Sequence, residues 1–313
     1  MAYIVQRLFS MAITLFLISI ITFTVTNILP GDVAMMIMGT QSNPEALANL
    51  RENLGLNDPL IYQYSRWILG MLTGDWGSSL LFKMPIGPIL LQKMTASGLI
   101  VLLSMTIALT LAVPLGVWSA VFKNRWQDTV SSSASIVGVS LPDFFWGIML
   151  ILLFARALGW LPSSGFVHPG DDLFLALKHA FLPSLALGLG LMAHLTRMTR
   201  ATMTGILSQE FIRVARAKGL AEKIVVWQYG LANAIGPVMT VAGLQMGYLF
   251  GSIIVMESLF NYTGMGWLTY QALLNRDVPL IQATVFVIAA VVMLVNLIVD
   301  LLYPFFDPRI RLK

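Results

Sequence analysis

The stretch FIRVARAKGLAEKIVVWQYGLANAIGP, residues Phe211–Pro237, stands out from the long apolar runs on either side of it. Its first thirteen residues surround Gly219 with four basic side chains, Arg213, Arg216, Lys218 and Lys223. SQEFIRVARAKGL is rich in helix-forming residues and stops at a glycine, which predicts a short helix. AEKIVVWQYGLANA predicts a second helix that leads into the next apolar run. The side of the membrane on which this basic loop lies is central to predicting the orientation of the whole chain.

The composition is that of a polytopic membrane protein. Of the 313 residues, 57% are hydrophobic and 11% are charged, and the mean hydropathy is +0.80. A soluble domain carries about 25% charged residues. The absence of cysteine excludes disulfides, iron–sulfur clusters and thiol catalysis. The net charge of +4 is better explained by membrane topology than by nucleic-acid binding.

Six apolar runs reach the length of about 20 residues that crossing a bilayer requires. The predicted spans cover residues 8–29, 98–122, 130–158, 181–202, 235–256 and 279–304. The first is too long for a cleaved signal peptide, so we expect it to be retained. The chain then consists of a first helix (1–29), an extracytoplasmic helical segment (30–95) and a core of five spans (96–313) with a loop at 203–234. The fold class is all-α.

Basic residues are distributed unevenly between the two sides of these spans. With the N-terminus inside, twelve of the nineteen Lys and Arg residues lie on inside segments: Arg7, Lys123, Arg125, Arg197, Arg200, Arg213, Arg216, Lys218, Lys223, Arg309, Arg311 and Lys313. Cytoplasmic loops of membrane proteins are enriched in Lys and Arg. Both termini and the loop 203–234 are therefore predicted to be cytoplasmic.

The segment 30–95 predicts two short helices. In NPEALANLRENLG, Asn43 is the expected N-cap and Pro44 the first helical residue, and in DPLIYQYSRWILGML the same roles fall to Asp58 and Pro59. Two interpretations stay open. The segment is either a cap packed on the ends of the spans or a docking surface for an extracytoplasmic partner.

Three acids are predicted within or at the ends of spans, where charge is costly and usually functional. Asp143 and Glu257, together with Gln245, are the candidates for a translocation path. Each acid also has a structural interpretation: Asp143 caps a helix restarted after Pro142, Glu257 anchors the glycine-rich loop behind it, and Asp300 pairs with an arginine. The same acids suggest an ion-coupled secondary transporter as an alternative function, although no inverted repeat is evident.

Motifs for chemistry are missing from the sequence. It contains no Walker-type or dinucleotide-binding glycine motif, no metal-ligand spacing among its three histidines, and no nucleophile–base–acid set. The patch GLGLMAH, residues 188–194, predicts close helix packing. We expect no catalytic activity and no cofactor bound by this chain.

The basic loop has two interpretations on its residues alone. Its Lys and Arg side chains suit an amphipathic helix lying on anionic lipid. Its small residues, Ala215, Ala217 and Gly219, equally suit a helix that docks closely into a cleft of a cytoplasmic partner.

The loop resembles the cytoplasmic EAA loop of ABC-importer permeases, whose general pattern is EAA-x3-G-x9-I-x-L-P. With Gly219 as the glycine, Ala215 and Leu231 match this pattern. The departures are Arg213, Val214, Tyr229 and Ala232. The likeness is closer to the peptide/nickel branch, where YVRTARAKGL…NALLPV compares with FIRVARAKGL…NAIGPV here. Other motifs of that branch follow in order, among them LPGD at 29–32, GDWGSS at 74–79, SLPDFFWG at 140–147 and ESLFNYTGMG at 257–266.

This resemblance implies the type I ABC-importer permease fold in a bacterial cytoplasmic (inner) membrane. It implies a second homologous permease as heterodimer partner, two ATP-binding subunits that carry ATP and magnesium, an extracytoplasmic solute-binding protein, and membrane lipid, without nucleic acid. The loop would be a coupling helix seated on an ATPase subunit, with these residues in contact: Arg213, Ala215, Arg216, Ala217, Lys218, Gly219, Leu220, Ala221 and Glu222. The expected substrates are dipeptides or oligopeptides, with glutathione-like peptides, nickel chelates, opines and sugars within the range of this branch.

Overall fold

The computed structural model describes residues 2–28, 33–38, 43–53 and 55–306, and the regular structure of this part is helical, as predicted. The helices are α1 (Ala2–Ile28), α2 (Val33–Met38), α3 (Pro44–Asn53), α4 (Leu60–Thr73), α5 (Ile86–Val121), α6 (Trp126–Ser140), α7 (Asp143–Leu150), α8 (Leu173–Leu207), α9 (Glu210–Ala217), α10 (Glu222–Ile224), α11 (Ala232–Leu259), α12 (Met265–Leu274) and α13 (Val278–Phe306). Two π-helical stretches, Ile151–Ala157 and Val225–Leu231, continue α7 and join α10 to α11. The LPGD motif at 29–32 and the basic residues Arg309, Arg311 and Lys313 lie outside the described residues.

Five helical runs are each long and apolar enough to cross a bilayer, namely Val5–Ile28, Ile86–Val121, Leu173–Leu207, Glu222–Leu259 and Val278–Leu301. The candidate for a sixth crossing is the pair Trp126–Ser140 and Asp143–Ala157, which is bent by 101° at the break between α6 and α7. The predicted span 130–158 is therefore two helices. Proline disfavours helical geometry in the residue before it, and Leu141, before Pro142, is extended at φ −99° and ψ 133°.

The long helices α5 and α8 lie side by side and run in the same direction. Near their starts, the Ser184 hydroxyl donates a hydrogen bond to the Ile100 carbonyl at 3.3 Å. Near their ends, Gly116 lies against Thr196 and Thr199, where a β-carbon would overlap the Thr199 side chain. Small residues permit such close approach of two helix backbones in a membrane. At a rise of about 1.5 Å per residue each helix exceeds 50 Å, which is longer than the bilayer's hydrocarbon core of about 30 Å.

Two hydrophobic clusters define the ends of the molecule. At one end, which we call the loop end, the last turns of α5 and α8 pack against α9, the π-helical stretch 225–231 and the start of α11. The buried residues are Val117, Ala120, Met203, Ile206, Ile212, Ala215, Val225, Val226 and Ala234. At the other, the cap end, the start of α5 packs against α4, α12 and the start of α13.

Helices α1 and α13 run antiparallel, so that the start of α1 and the end of α13 both lie toward the loop end. Arg7 forms an ion pair with Asp300 at 3.1 Å, and Gln282 donates a hydrogen bond to the Thr26 hydroxyl at 2.7 Å toward the cap end. The prediction that Asp300 pairs with an arginine is confirmed. The partner belongs to α1; the neighbouring DPRIR motif, 307–311, lies outside the described residues.

Helix α4 and residues 76–82 of the segment between α1 and α5 pack on the cap end. Helix α3 begins at Pro44, and the Asn43 side chain accepts a hydrogen bond from the Glu45 N–H at 3.1 Å, as predicted. Helix α4 begins one residue later than predicted, and the Asp58 carboxylate pairs with Arg66 instead of capping it.

A buried acid that the sequence analysis missed holds this segment in place. Asp277, just before α13, is 1% exposed. Its carboxylate accepts hydrogen bonds from the Ser79 hydroxyl at 2.6 Å and from the Leu81 N–H at 3.0 Å. Of the predicted segment 30–95, α4 and residues 76–82 pack on helix ends, while residues 86–95 belong to α5. The extracytoplasmic placement and the docking interpretation stay predictions.

Candidate functional sites at the loop and within the membrane

The loop forms a tightly closed turn between α9 and α10. The Gly219 N–H donates to the Arg216 carbonyl at 3.0 Å, and the Leu220 N–H donates to the Ala215 carbonyl at 3.4 Å. This pair of bonds is the Schellman pattern of a helix C-terminus. Gly219 has φ +76°, a conformation that residues with a β-carbon adopt at a cost. The glycine therefore ends α9 and reverses the chain within two residues.

One face of α9 is buried in the chain itself. Ile212 is fully buried among the residues of the loop-end cluster, and burial of such a side chain contributes about 1.5–3 kcal/mol. Ala215, one turn later, is only 4% exposed. Its small side chain serves this internal packing, contrary to the expectation that its backbone is open to a partner. Leu220 packs on the same cluster after the turn.

The opposite face of α9, which we call the outer face, is exposed and apolar. Phe211 is 38% exposed and Val214 is 51% exposed, and the exposed Ala217 continues the row. Residues at intervals of three share one side of a helix. Phe211 and Val214 were not predicted as surface residues of the loop, although their spacing of three residues, continued by Ala217, indicates a shared helix face. Beyond this row, Lys218, Gly219 and Ala221 are exposed at the turn.

Ion pairs run along one side of the outer face and across the turn. Arg213 pairs with Glu210 at 3.1 Å, and Arg216 forms two hydrogen bonds with Glu222 across the turn, at 3.1 and 2.6 Å. The Glu222 carboxylate raises the pKa of the Arg216 guanidinium above its ordinary value, chiefly through these hydrogen bonds. The two arginines are therefore held in fixed positions beside the apolar row.

A second acid missed by the sequence analysis, Asp128, ties three helices together near the loop end. It is 4% exposed and accepts hydrogen bonds from the Ser119 hydroxyl at 2.7 Å and the Asn124 N–H at 2.9 Å. Arg200 of α8 grips both carboxylate oxygens in a bidentate ion pair. The network joins the end of α5, the start of α6 and α8, directly behind the loop.

Near the middle of the membrane spans, a cavity of about 190 Å³ lies at the break between α6 and α7. It is lined by residues 138–143 of the break, by Gly190, Leu191 and His194 of α8, and by Gln245 and Tyr248 of α11. Gly190 lies at the midpoint of α8 (Leu173–Leu207), about 26 Å from either end. The GLGLMAH patch of α8 therefore meets the stretch 243–252 of α11 here, with Asp143 and Gln245 among the lining residues.

Glu257, the third residue predicted for the path, lies apart from this cavity and is fully buried toward the cap end. Its carboxylate accepts hydrogen bonds from the Ser97 hydroxyl and from the Trp267 N–H at 2.9 Å. Ser97 in turn accepts a hydrogen bond from the Met265 N–H at 2.7 Å. A carboxylate at a helix N-terminus satisfies backbone donors and favours the helix dipole. These contacts are those of an anchor for α12.

We expect Glu257→Ala to lower the thermal stability of the protein, because it leaves the buried N–H of Trp267 and the hydroxyl of Ser97 without an acceptor. The cost of unpaired buried groups is about 1–3 kcal/mol each. Glu257→Gln keeps one carbonyl oxygen for these donors and serves as the matched control. The midpoint of thermal unfolding in detergent is the measurement, and equal midpoints for the two variants would contradict the anchoring role.

Among the described residues, no three His, Asp or Glu side chains form a group that would hold a metal ion.

Matches to known proteins cover both the loop and the cavity between the spans. Residues 112–312 match the family model for the binding-protein-dependent transport system inner membrane component. The chain belongs to this permease family. Residues 1–83 match the corresponding N-terminal model, so the two matches include α1, the cap segment, the broken α6–α7 crossing and the loop.

Curated relatives match over the full length of the permease. It is 37% identical to the dipeptide transport system permease protein of Alkalihalophilus pseudofirmus over 331 aligned residues, and the alignment covers 99% of each chain. It is also 37% identical to the glutathione transport system permease protein of Escherichia coli (strain K12) over 311 residues, again with 99% of each chain covered. The resemblance inferred from the ordered motifs is confirmed, and it favours a binding-protein-dependent importer over an ion-coupled transporter.

Proposed function

We propose that this permease is one of two membrane-spanning subunits of an ATP-driven ABC importer for peptides. In this proposal it pairs with a second homologous permease, two ATP-binding subunits and an extracytoplasmic solute-binding protein, in a bacterial inner membrane. The names of the full-length relatives support a small peptide as substrate. The excess of basic residues on the inside segments supports cytoplasmic termini.

The observation that carries the proposal is the outer face of α9, which we infer to be the surface that docks on an ATPase subunit. Helix α9 has only eight residues, and Arg213 and Arg216 are engaged by Glu210 and Glu222. Pairing weakens the attraction of these two arginines for anionic lipid, while Lys218 and Lys223 stay exposed. The apolar row therefore favours a protein partner more than the charges do. An exposed apolar row with fixed charges at its border has the anatomy of a protein interface.

In this proposal the chain carries out no chemistry. ATP and magnesium belong to the partner subunits, whose closure would displace the loop and switch the two permeases between inward-open and outward-open states. The cavity with Asp143 and Gln245 would contribute to the path between the two permeases. Glu257 would hold α12 on the cap end without contacting the substrate.

Reconstitution of the complete transporter in liposomes tests this function. We expect uptake of trialanine to require ATP, both ATPase subunits and the solute-binding protein, and the purified permease alone to show no saturable ATP binding. ATPase subunits with the Walker lysine replaced by alanine are the control and should give no uptake. Uptake driven by an imposed proton gradient without ATP would overturn the proposal in favour of ion-coupled transport.

A further inference from the structure

The mid-membrane cavity contains a half-buried carboxylate, Asp143, whose surroundings differ from those of the other acids within the helical core of the described residues. Asp128 is paired with Arg200 and Asp300 with Arg7, while Asp277 and Glu257 accept hydrogen bonds from backbone N–H groups. Among the described residues, Asp143 forms no ion pair within 4 Å. Its hydrogen-bonding neighbours are the neutral hydroxyls of Tyr248, at 3.3 Å, and Ser252.

Backbone carbonyl groups add to the negative electrostatic potential that the Asp143 carboxylate creates in the cavity. Helix α6 ends at Ser140, and the last four carbonyl groups of a helix have no partner within it. Residues 138–142 line the cavity, so the negative end of the α6 dipole lies at the cavity as well. Asp143 is the first residue of α7, so the positive end of that helix dipole also acts on its carboxyl group.

The arrangement leaves room for the carboxylate beside α8. Gly190 lies against Asp143, and a β-carbon at residue 190 would overlap the Asp143 side chain. The remaining polar groups of the cavity are His194, whose Nδ1 lies 3.2 Å from the Gly190 carbonyl oxygen, and the neutral side chains of Gln245 and Tyr248. A carboxylate with free acceptor capacity, bordered by carbonyl oxygens, is a binding site for a cation with several N–H donors.

We propose that Asp143 and the carbonyl groups at the end of α6 bind the α-ammonium group of the peptide as it crosses the membrane. The proposal rests on the peptide-import function inferred above. Linear peptides with a free N-terminus carry this group at neutral pH whatever their side chains, since its pKa is about 7.7–8.0. A single half-buried carboxylate therefore recognises such peptides in general without selecting for sequence. The bound ammonium also offsets the cost of an unpaired charge at this depth.

Photolabelling of the complete transporter in lipid nanodiscs, without the solute-binding protein, tests this site. The probe is a tripeptide, Ala-Ala-photoleucine, and mass spectrometry locates the label. We expect labelling of residues lining the cavity, and we expect trialanine to compete at a concentration at least about tenfold lower than N-acetyltrialanine. That ratio corresponds to the loss of one charge-assisted hydrogen bond.

Asp143→Asn is isosteric and should reduce labelling about tenfold while removing the difference between the two competitors. Asp143→Glu keeps the charge and should retain the preference for trialanine. Asp171→Asn, which neutralises an exposed acid outside the cavity, should label as the wild type does. Should the asparagine variant fail to assemble, the wild-type competition decides alone, because equal potency of trialanine and N-acetyltrialanine overturns the proposal.

The failure of this inference is distinct from the failure of the proposed function. A transporter that imports trialanine with ATP, yet shows unchanged labelling and competition in Asp143→Asn, refutes only the ammonium site. A wild-type complex with no ATP-dependent uptake and no label in the cavity refutes both.

Discussion

Replacing Gly219 by tryptophan is expected to abolish peptide-stimulated ATP hydrolysis and uptake by the assembled transporter, while the chain still inserts into the membrane. Gly219 has φ +76°, and open space surrounds the position of its missing side chain. Tryptophan would be strained in this conformation and would project its indole ring from the turn beside the outer face of α9. If that face is the docking surface, the ring prevents the ATPase subunit from seating.

Gly219→Asn separates strain from obstruction, because asparagine enters the left-handed region more readily than other residues with a β-carbon and its side chain is small. We expect this control variant to keep most of the coupled ATPase activity, which is measured in proteoliposomes with saturating binding protein. Normal coupled turnover by the tryptophan variant would refute the assignment of the loop to ATPase docking.

The second large effect is expected for Asp128→Ala, which leaves the Arg200 guanidinium without its partner behind the loop. Breaking a fully buried ion pair costs about 3–5 kcal/mol. Because the Arg200 side chain is 31% exposed and water can reach it, we expect a loss toward the lower end of this range. The free energy of unfolding, measured by denaturant titration in mixed micelles, is the test. Asp58→Ala breaks the exposed pair with Arg66 and should cost less than about 1 kcal/mol.

A further variant distinguishes the charge from the packing at this position. In Asp128→Asn with Arg200→Leu, no buried charge remains, so we expect part of the lost stability to return. If Asp128→Ala lowers the free energy of unfolding by no more than Asp58→Ala does, the network is not a structural tie between α5, α6 and α8.

The membrane spans were predictable because the bilayer restricts the chain to long apolar helices, whose length and composition are evident in the sequence. The break at Pro142 was predictable from the chemistry of proline. The 101° bend was not, because it depends on how α7 packs on α11. There Gly147 lies against Met256 and Leu259, more than a hundred residues away.

The two missed acids illustrate a second limit. Asp128 lies 72 residues from Arg200 in sequence, and Asp277 lies 198 residues from Ser79. Neither pairing leaves a local pattern, so both acids resemble ordinary turn residues. Asp143 and Gln245 were both predicted for the path because apolar surroundings make polar residues conspicuous. Glu257 was conspicuous for the same reason, but the sequence did not reveal that backbone donors enclose it.

For the loop, composition predicted a helix ended by a glycine but not which side of that helix faces outward. The packing of Ile212 on the ends of α5 and α8 decides the rotation of α9. That rotation turns Ala215 inward and leaves Phe211 and Val214 outside. The small residues therefore indicated close packing correctly. For Ala215, however, the packing neighbour is the loop-end cluster of the same chain.

The helical run from Glu222 to Leu259 has a mechanical consequence. Its 38 residues span about 57 Å, with the turn at Gly219 beside its first residue and the Glu257 anchor of α12 near its last. Tilting such a rod by about 5° around its midpoint would move each end by about 2.5 Å in opposite directions. Displacement of the loop on one side of the membrane would then shift α12 on the other side in the opposite direction, without any contribution from the substrate.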